Sequence, residues 1–313
     1  MSRILLRHES ILAVLLVLAL AVLAMQSDKF FTVDNLLNQG RLMAEVGLVA
    51  LAMTFVIVTA GIDLSVGSIL GLVAILLGVF WQKLGLPLPV AMALGLVVGA
   101  LAGLFNGIII TRFRVPPLIA TLATLALYRG LAEGISQARS VRGYPEWFFV
   151  LGQGEVLGVP TQLWIFFACA IVAAIVLGMS TFGRATYATG ANIVAARFSG
   201  IPVDRTILLI YTASGLIAGL AAIIFVSRVS TTRSDMGTGL ELDVITAVVL
   251  GGTSIFGGRG TIIGTLLGLV LMQALKNGLA LAGVKGDGTI VVIGLILIAT
   301  LIISNVVRRD SDG

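Results

Sequence analysis

Runs of mostly apolar residues recur along this chain, each close to the ~20 residues that a helix needs to cross a bilayer's hydrocarbon core. They fall at 10–26, 42–60, 66–82, 88–110, 116–134, 162–180, 206–227, 241–257, 261–282 and 288–307. The expected fold class is therefore all-α integral membrane, with about ten transmembrane helices in a single domain over 1–313. Charge agrees: 11% of residues are charged, against about a quarter in soluble domains. Too few ions remain to cover a water-facing surface, so lipid is the expected solvent. Several boundaries are soft, and the 241–260 region is open to being broken rather than straight.

Several function classes drop out early. The 20 Lys and Arg are scattered in ones and twos, with no basic stripe and no interleaved aromatics, which argues against nucleic-acid binding. The lone Cys169 excludes an internal disulfide and a multi-cysteine metal site. The only histidine, His8, lies in the charged N-terminal segment, so a Ser-His-Asp hydrolase lacks its parts. The run Ile11–Met25 behind Arg3 and Arg7 has the look of a signal peptide. The residues after it, Gln26-Ser27-Asp28-Lys29-Phe30, make a poor cleavage site, so a retained first helix is expected.

An even helix count puts both termini on one side. The raw Lys and Arg count does not choose that side, but placement favours the cytoplasm: Arg3 and Arg7 flank the first run, Arg112 and Arg114 close a very short loop, and Arg308 and Arg309 follow the last. A faint repeat runs through the chain. Asp63-Leu-Ser-Val-Gly-Ser-Ile-Leu-Gly71 shares a frame with Asp243-Val-Ile-Thr-Ala-Val-Val-Leu-Gly251, and Gly99-Ala-Leu-Ala-Gly103 with Gly264-Thr-Leu-Leu-Gly268. The two aspartate frames enter their helices from opposite sides, which is the inverted-repeat arrangement of many transporters. Chance similarity between such short apolar frames stays open as well.

The stretch Thr59-Ala-Gly-Ile-Asp-Leu-Ser-Val-Gly-Ser68 sits between two apolar runs. An ionised carboxylate at membrane depth costs several kcal/mol unless it meets water or donors. Asp63 is thus a candidate either for capping the following helix through the amides of Ser65 or Val66, or for contacting a solute. Gly61 and Gly67 weaken the helix here, while Ser65 and Ser68 offer hydroxyls to freed backbone groups. Gly99, Gly103 and Gly107 form one glycine face, expected to pack closely. Asn106 beside them either bonds a neighbouring helix or lines the route. Thr121 and Thr246 join the candidate translocation pathway, while Glu45, Thr54, Thr124, Gln273 and Asn277 read as polar glue between helices.

The segment Thr181–Arg205 differs from every other loop. It is amphipathic, with a short helix-compatible run from Asn192 to Phe198 ended by Gly200 and Pro202. It is either an interfacial helix resting on headgroups or a knob that docks into a cytoplasmic partner.

Gly-Ile-Asp-Leu-Ser-Val-Gly-Ser at 61–68 closely resembles a signature of permease subunits in ABC importers of the ribose, xylose, arabinose and galactose type. Gly190-Ala-Asn-Ile-Val-Ala-Ala-Arg-Phe-Ser-Gly-Ile-Pro202 is similar to that family's coupling segment. Thr246-Ala-Val-Val-Leu-Gly-Gly-Thr-Ser-Ile-Phe-Gly-Gly-Arg-Gly260 is similar to its third landmark. The three occur in family order, and the likeness spans nearly the whole chain. It implies a permease in the bacterial inner membrane, paired with a second copy or a similar permease. It implies two further partners: a cytoplasmic ATPase with two cassettes, which holds the ATP and magnesium, and a periplasmic sugar-binding protein. Coupling to the ATPase is carried onto Gly190, Asn192, Ala195, Ala196, Ser199, Gly200, Ile201 and Pro202. Rhamnose and autoinducer-2 importers resemble the chain about as well. No Gly-x-x-x-x-Gly-Lys-[Ser/Thr] phosphate loop occurs in it, so a pump built on this chain borrows its motor. A secondary transporter using Glu45 and Asp63 as ion sites is the rival reading.

Overall fold

The computed structural model describes residues 10–298 apart from positions 11, 15, 22, 24, 26, 27, 138, 285, 287, 293, 296 and 297. The expected spans 10–26 and 288–307 and both termini, with their flanking arginines, lie partly or wholly outside the described residues. Seven helices long and apolar enough to cross a membrane are present among the described ones. They are α1 (Val33–Val58), α2 (Val66–Lys83), α3 (Leu88–Arg112), α4 (Pro117–Ser136), α6 (Thr161–Met179), α9 (Val203–Val229) and α11 (Ile262–Leu281). Shorter helices are α5 (Glu146–Phe149), α7 (Thr181–Ala191), α8 (Ile193–Phe198) and α10 (Leu240–Leu250). A two-stranded antiparallel ribbon, β1 (Glu155–Val156) and β2 (Val159–Pro160), precedes α6.

Local chemistry sets these ends. Thr32 caps α1 by accepting the Asn35 amide, so α1 starts about two turns before the expected 42. The polar residues 34–41, expected in a loop, form its first turns instead. Prolines stand in the first turn of α3 and α4, where their missing N–H costs nothing. The last five residues of α2, Val79–Lys83, widen into a π turn.

Two helices start inside the bundle. The segment 231–239 is not helical; it runs along α2 with Thr232 near Gly78, Met236 near Gly71 and Gly237 near Gly67. Helix α10 then begins with Glu241 beside Gly67. Only Leu240–Leu250 of the expected 241–257 span is helix; Gly251 and Gly252 end it, and Gly252 has φ +86°. On the other side of the bundle, 59–65 is an irregular link before α2. The two short aspartate frames occupy unlike positions: Asp63 lies three residues before its helix, and Asp243 lies inside the first turn of its own.

The most extensive packing joins α3 to α9, and glycines make it possible. A β-carbon on Gly99 would stand 2.5 Å from the Gly215 carbonyl oxygen, and one on Gly103 would collide with the carbonyl of Tyr211. Without a hydrophobic effect to separate helix from lipid, such backbone contact supplies the dispersion energy that holds membrane helices together. A second seam of the same kind joins Gly251 to Gly264 and Ala247 to Gly268, between α10 and α11. Helix α1 packs on α9, and Glu45 is tied to Arg228 by two parallel hydrogen bonds of 2.7 and 2.9 Å.

Candidate functional site

Helix α1 ends at Val58, and the chain reverses through Ala60, which holds φ +62°. The Gly61 amide returns to the Val56 carbonyl at 3.0 Å. A β-carbon on Gly61 would press to 2.7 Å from the Tyr211 hydroxyl, so glycine is required by space. Beyond it the Ile62 carbonyl accepts from Thr121 Oγ1 at 3.1 Å, which ties the link to α4.

Asp63 is fully buried. Its Oδ1 accepts the Ser65 amide at 3.0 Å and the Ser65 hydroxyl at 2.6 Å. Its Oδ2 accepts the Ser214 hydroxyl of α9 at 3.0 Å. The Asn106 amide of α3 donates to Ser65 Oγ at 2.7 Å, and the Tyr128 hydroxyl of α4 lies 3.3 Å from Asn106 Oδ1. Ser68 donates to the Ser65 carbonyl at 2.8 Å. One network thus joins α2, α3, α4 and α9 around a carboxylate. None of the five ion pairs among the described residues includes Asp63. Its two oxygens accept from three donors at the N-terminal end of α2.

Of the candidate pathway residues, Asp63, Ser65, Ser68, Asn106 and Thr121 converge here. Thr246 does not: its hydroxyl donates to the Leu242 carbonyl one turn back in α10. Ser214, Tyr128 and Tyr211 belong to the cluster although sequence reasoning passed them over. The usable signal was the one that singled out Asn106, a polar group inside an apolar run.

A short distance along α2, Arg129 reaches across from α4. It donates to the carbonyls of Ser234, Met236 (2.9 Å) and Gly67 (3.4 Å). Ser234 and Met236 lie on the non-helical segment 231–239 and Gly67 in the first turn of α2, so the guanidinium satisfies oxygens that no helix serves on the broken segment and ties that segment to α2.

The coupling candidates form a second group. Ser180 caps α7 through the Gly183 amide, and Asn192 Oδ1 caps α8 by accepting from Val194 and Ala195 at 3.0 and 2.9 Å. The sequence reading placed helix only in the second of these; Thr181–Ala191 is helical too. Ala196 is buried, while Asn192, Ala195, Ser199, Gly200 and Pro202 are exposed and Ile201 is half-buried. Gly200 turns the chain with φ +79°. Phe198, 89% exposed, stands out from this surface with Ile193 and Val194. Gly190 differs from the rest, since its missing side chain lets α7 lie directly on the Val58 carbonyl and the Gly258 amide.

Comparison with known proteins gives this architecture its relatives. A family model described as branched-chain amino acid transport system / permease component matches residues 35–301. The chain is 38% identical over 312 residues to the ribose import permease protein of Escherichia coli (strain K12), covering 96% of this chain and 94% of that one. It is 37% identical over 300 residues to the autoinducer 2 import system permease protein of Yersinia enterocolitica, covering 94% and 90%. No solved structure matches it. The apolar helices, the buried polar network and these matches agree: the chain is a multi-pass membrane protein that belongs to the family of transport-system permease components.

Proposed function

We propose that this chain is the membrane-spanning subunit of an ATP-driven importer that moves a monosaccharide or a related small, polyol-like solute delivered by a periplasmic binding protein. The observation that carries the reading is the pairing of a polar network at the broken helices with relatives named as ribose and autoinducer 2 import permeases along almost their whole length. On this reading about ten helical segments build the membrane domain as an inverted repeat, α10 crossing only part of the bilayer, and both termini face the cytoplasm. The segment 181–205 docks on a separate ATPase with two cassettes, where ATP and magnesium bind. A second copy or a sister permease completes the route. The chain itself holds no cofactor and catalyses no reaction.

Its chemistry suits a solute released rather than held. Asp63, Ser65 and Asn106 bond one another in this conformation, while the Ser68 and Thr121 hydroxyls donate to backbone carbonyls of Ser65 and Ile62. Exchange of those bonds for hydroxyls of a passing solute gives weak, reversible contact, and specificity stays with the binding protein. The same architecture moving autoinducer 2, a nucleoside or a branched-chain amino acid is the second reading, favoured by the family description and the second group of relatives.

Reconstitution in liposomes with a two-cassette ATPase and a periplasmic binding protein from the same organism, followed by a screen of labelled monosaccharides, tests the assignment. ATP-dependent uptake of one sugar is expected. Uptake by the isolated chain on an ion gradient, without ATPase, would replace it with a secondary transporter.

A further inference from the structure

The glycine-rich turn 251–260 is seated against the coupling segment. Its Gly258 amide donates to the Val58 carbonyl at 2.8 Å. A β-carbon on Gly257 would stand 2.7 Å from the Gly190 carbonyl oxygen and 2.8 Å from the Ala60 β-carbon. The turn is closed internally by Ser254 N–H to the Arg259 carbonyl and by Gly257 N–H to the Ser254 carbonyl, both 2.9 Å. Gly257, Gly258 and Gly260 all have positive φ, at +83°, +73° and +156°, so its shape is one that side chains resist. A side-chain bond fastens it to the coupling segment: the Tyr187 hydroxyl of α7 donates to the Gly260 carbonyl at 2.6 Å.

Three elements therefore meet at one point: α7, the turn 251–260, and the end of α1. From that point to Asp63 the chain needs only Thr59, Ala60, Gly61 and Ile62. The contacts are backbone on backbone, made at glycines, and such surfaces move as a body rather than deforming. Displacement of α7 by a partner carries the turn with it. Both then bear on Val58, and through the strained Ala60 on the link that positions Asp63 and the start of α2.

We propose that Tyr187 is a positioning residue for energy coupling: its bond to Gly260 fastens the coupling segment to the 251–260 turn, so that motor movement reaches the Asp63 link at the end of α1. This rests on the docking of 181–205 on an ATPase. The removed bond in Tyr187→Phe is a single hydroxyl, and the ring that packs there stays. The measurement is solute transported per ATP hydrolysed in liposomes holding the full complex, together with amide hydrogen exchange of 251–260. The expected result for Tyr187→Phe is ATP hydrolysis within about twofold of the unaltered complex, a several-fold lower transport-to-hydrolysis ratio, and faster exchange at 251–260. An unchanged ratio overturns the proposal, as does a lower ratio with unchanged exchange.

Tyr187→Trp, which keeps a large ring and places its donor elsewhere, should show the same loss, and serves if the Phe variant does not assemble. Failure of the unaltered chain to stimulate any ATPase would instead sink the docking assignment itself, and the two failures are told apart by the unaltered complex alone.

Discussion

The Asp63 carboxylate accepts a hydrogen bond at 3.0 Å from the hydroxyl of Ser214, a residue 151 positions further along the chain. That bond closes the link 59–65 onto α9, and no ion pair among the described residues includes Asp63. A hydrogen bond to such a carboxyl group contributes about 0.5–1.5 kcal/mol when the acceptor is neutral and about 1.5–3 kcal/mol when it is charged. Loss of the whole carboxylate also leaves the Ser65 and Ser214 donors stranded.

Asp63→Ala should therefore lower the thermal midpoint of the detergent-solubilised protein by an amount matching about 2–4 kcal/mol. Asp63→Asn should cost less, since its carbonyl still accepts from Ser65. Uptake should fall in both, with the chain still present in the membrane. The measurements are thermal unfolding and labelled-solute uptake on the same preparations. Unchanged uptake in the Asn variant would leave Asp63 as a helix cap alone.

Glu45 and Arg228 make a different kind of tie. Both oxygens of the buried Glu45 meet nitrogens of Arg228, and the same guanidinium lies 4.9 Å from the Phe225 ring centre. Removing one partner strands a charge in a low-dielectric interior, at a cost of about 3–5 kcal/mol. Glu45→Leu or Arg228→Met alone should thus destabilise strongly, while the double substitution should recover most of the loss. A double-mutant cycle of unfolding midpoints reads this directly; additive losses would mean that the pair is not coupled.

Gly103 tests the seam between α3 and α9. A β-carbon there meets the Tyr211 carbonyl, which is backbone and cannot swing aside. Gly103→Val should force the helices apart and abolish monodisperse elution in detergent. Gly130→Ala is the control, because nothing lies within 4 Å of its added carbon, and it should elute as the unaltered protein does. Equal behaviour of the two would remove the close-packing account.

The sequence spoke clearly where lipid imposed rules and faintly where folding brought distant parts together. Asp63, Asn106 and the glycines of α3 are conspicuous because acid, amide and glycine are uncommon neighbours in an apolar run. The long helices were legible to within a few residues for the same reason. The early start of α1 was not, because polar residues 34–41 look like a loop until the Thr32 cap is seen. Helix α7 was missed because Thr181–Ala191 is rich in Thr and Gly, weak helix formers, and is held by packing at Gly183 and Gly190. The bond from Ser214 to Asp63 and the descent of 231–239 beside α2 are tertiary facts, for which local pattern carries no signal.

Gly200 is where stability and coupling come apart most cleanly. Its φ of +79° favours glycine, so a side chain costs about 1–2 kcal/mol in backbone strain. Yet nothing lies within 4 Å of a β-carbon placed there, so the bundle has no clash to absorb. Strain confined to an exposed turn leaves the helices assembled, whereas a side chain beside the exposed Phe198 alters the surface offered to a motor. Gly200→Val should therefore unfold within a few degrees of the unaltered chain while substrate-stimulated ATP hydrolysis and uptake by the complex fall together, at least tenfold. Gly143→Val shares the positive φ and the open surroundings but sits in the loop before α5, away from the coupling segment. It should carry the same backbone strain and leave hydrolysis unchanged. If both variants lose hydrolysis equally, strain rather than docking is the cause; if Gly200→Val keeps it, the motor does not grip here.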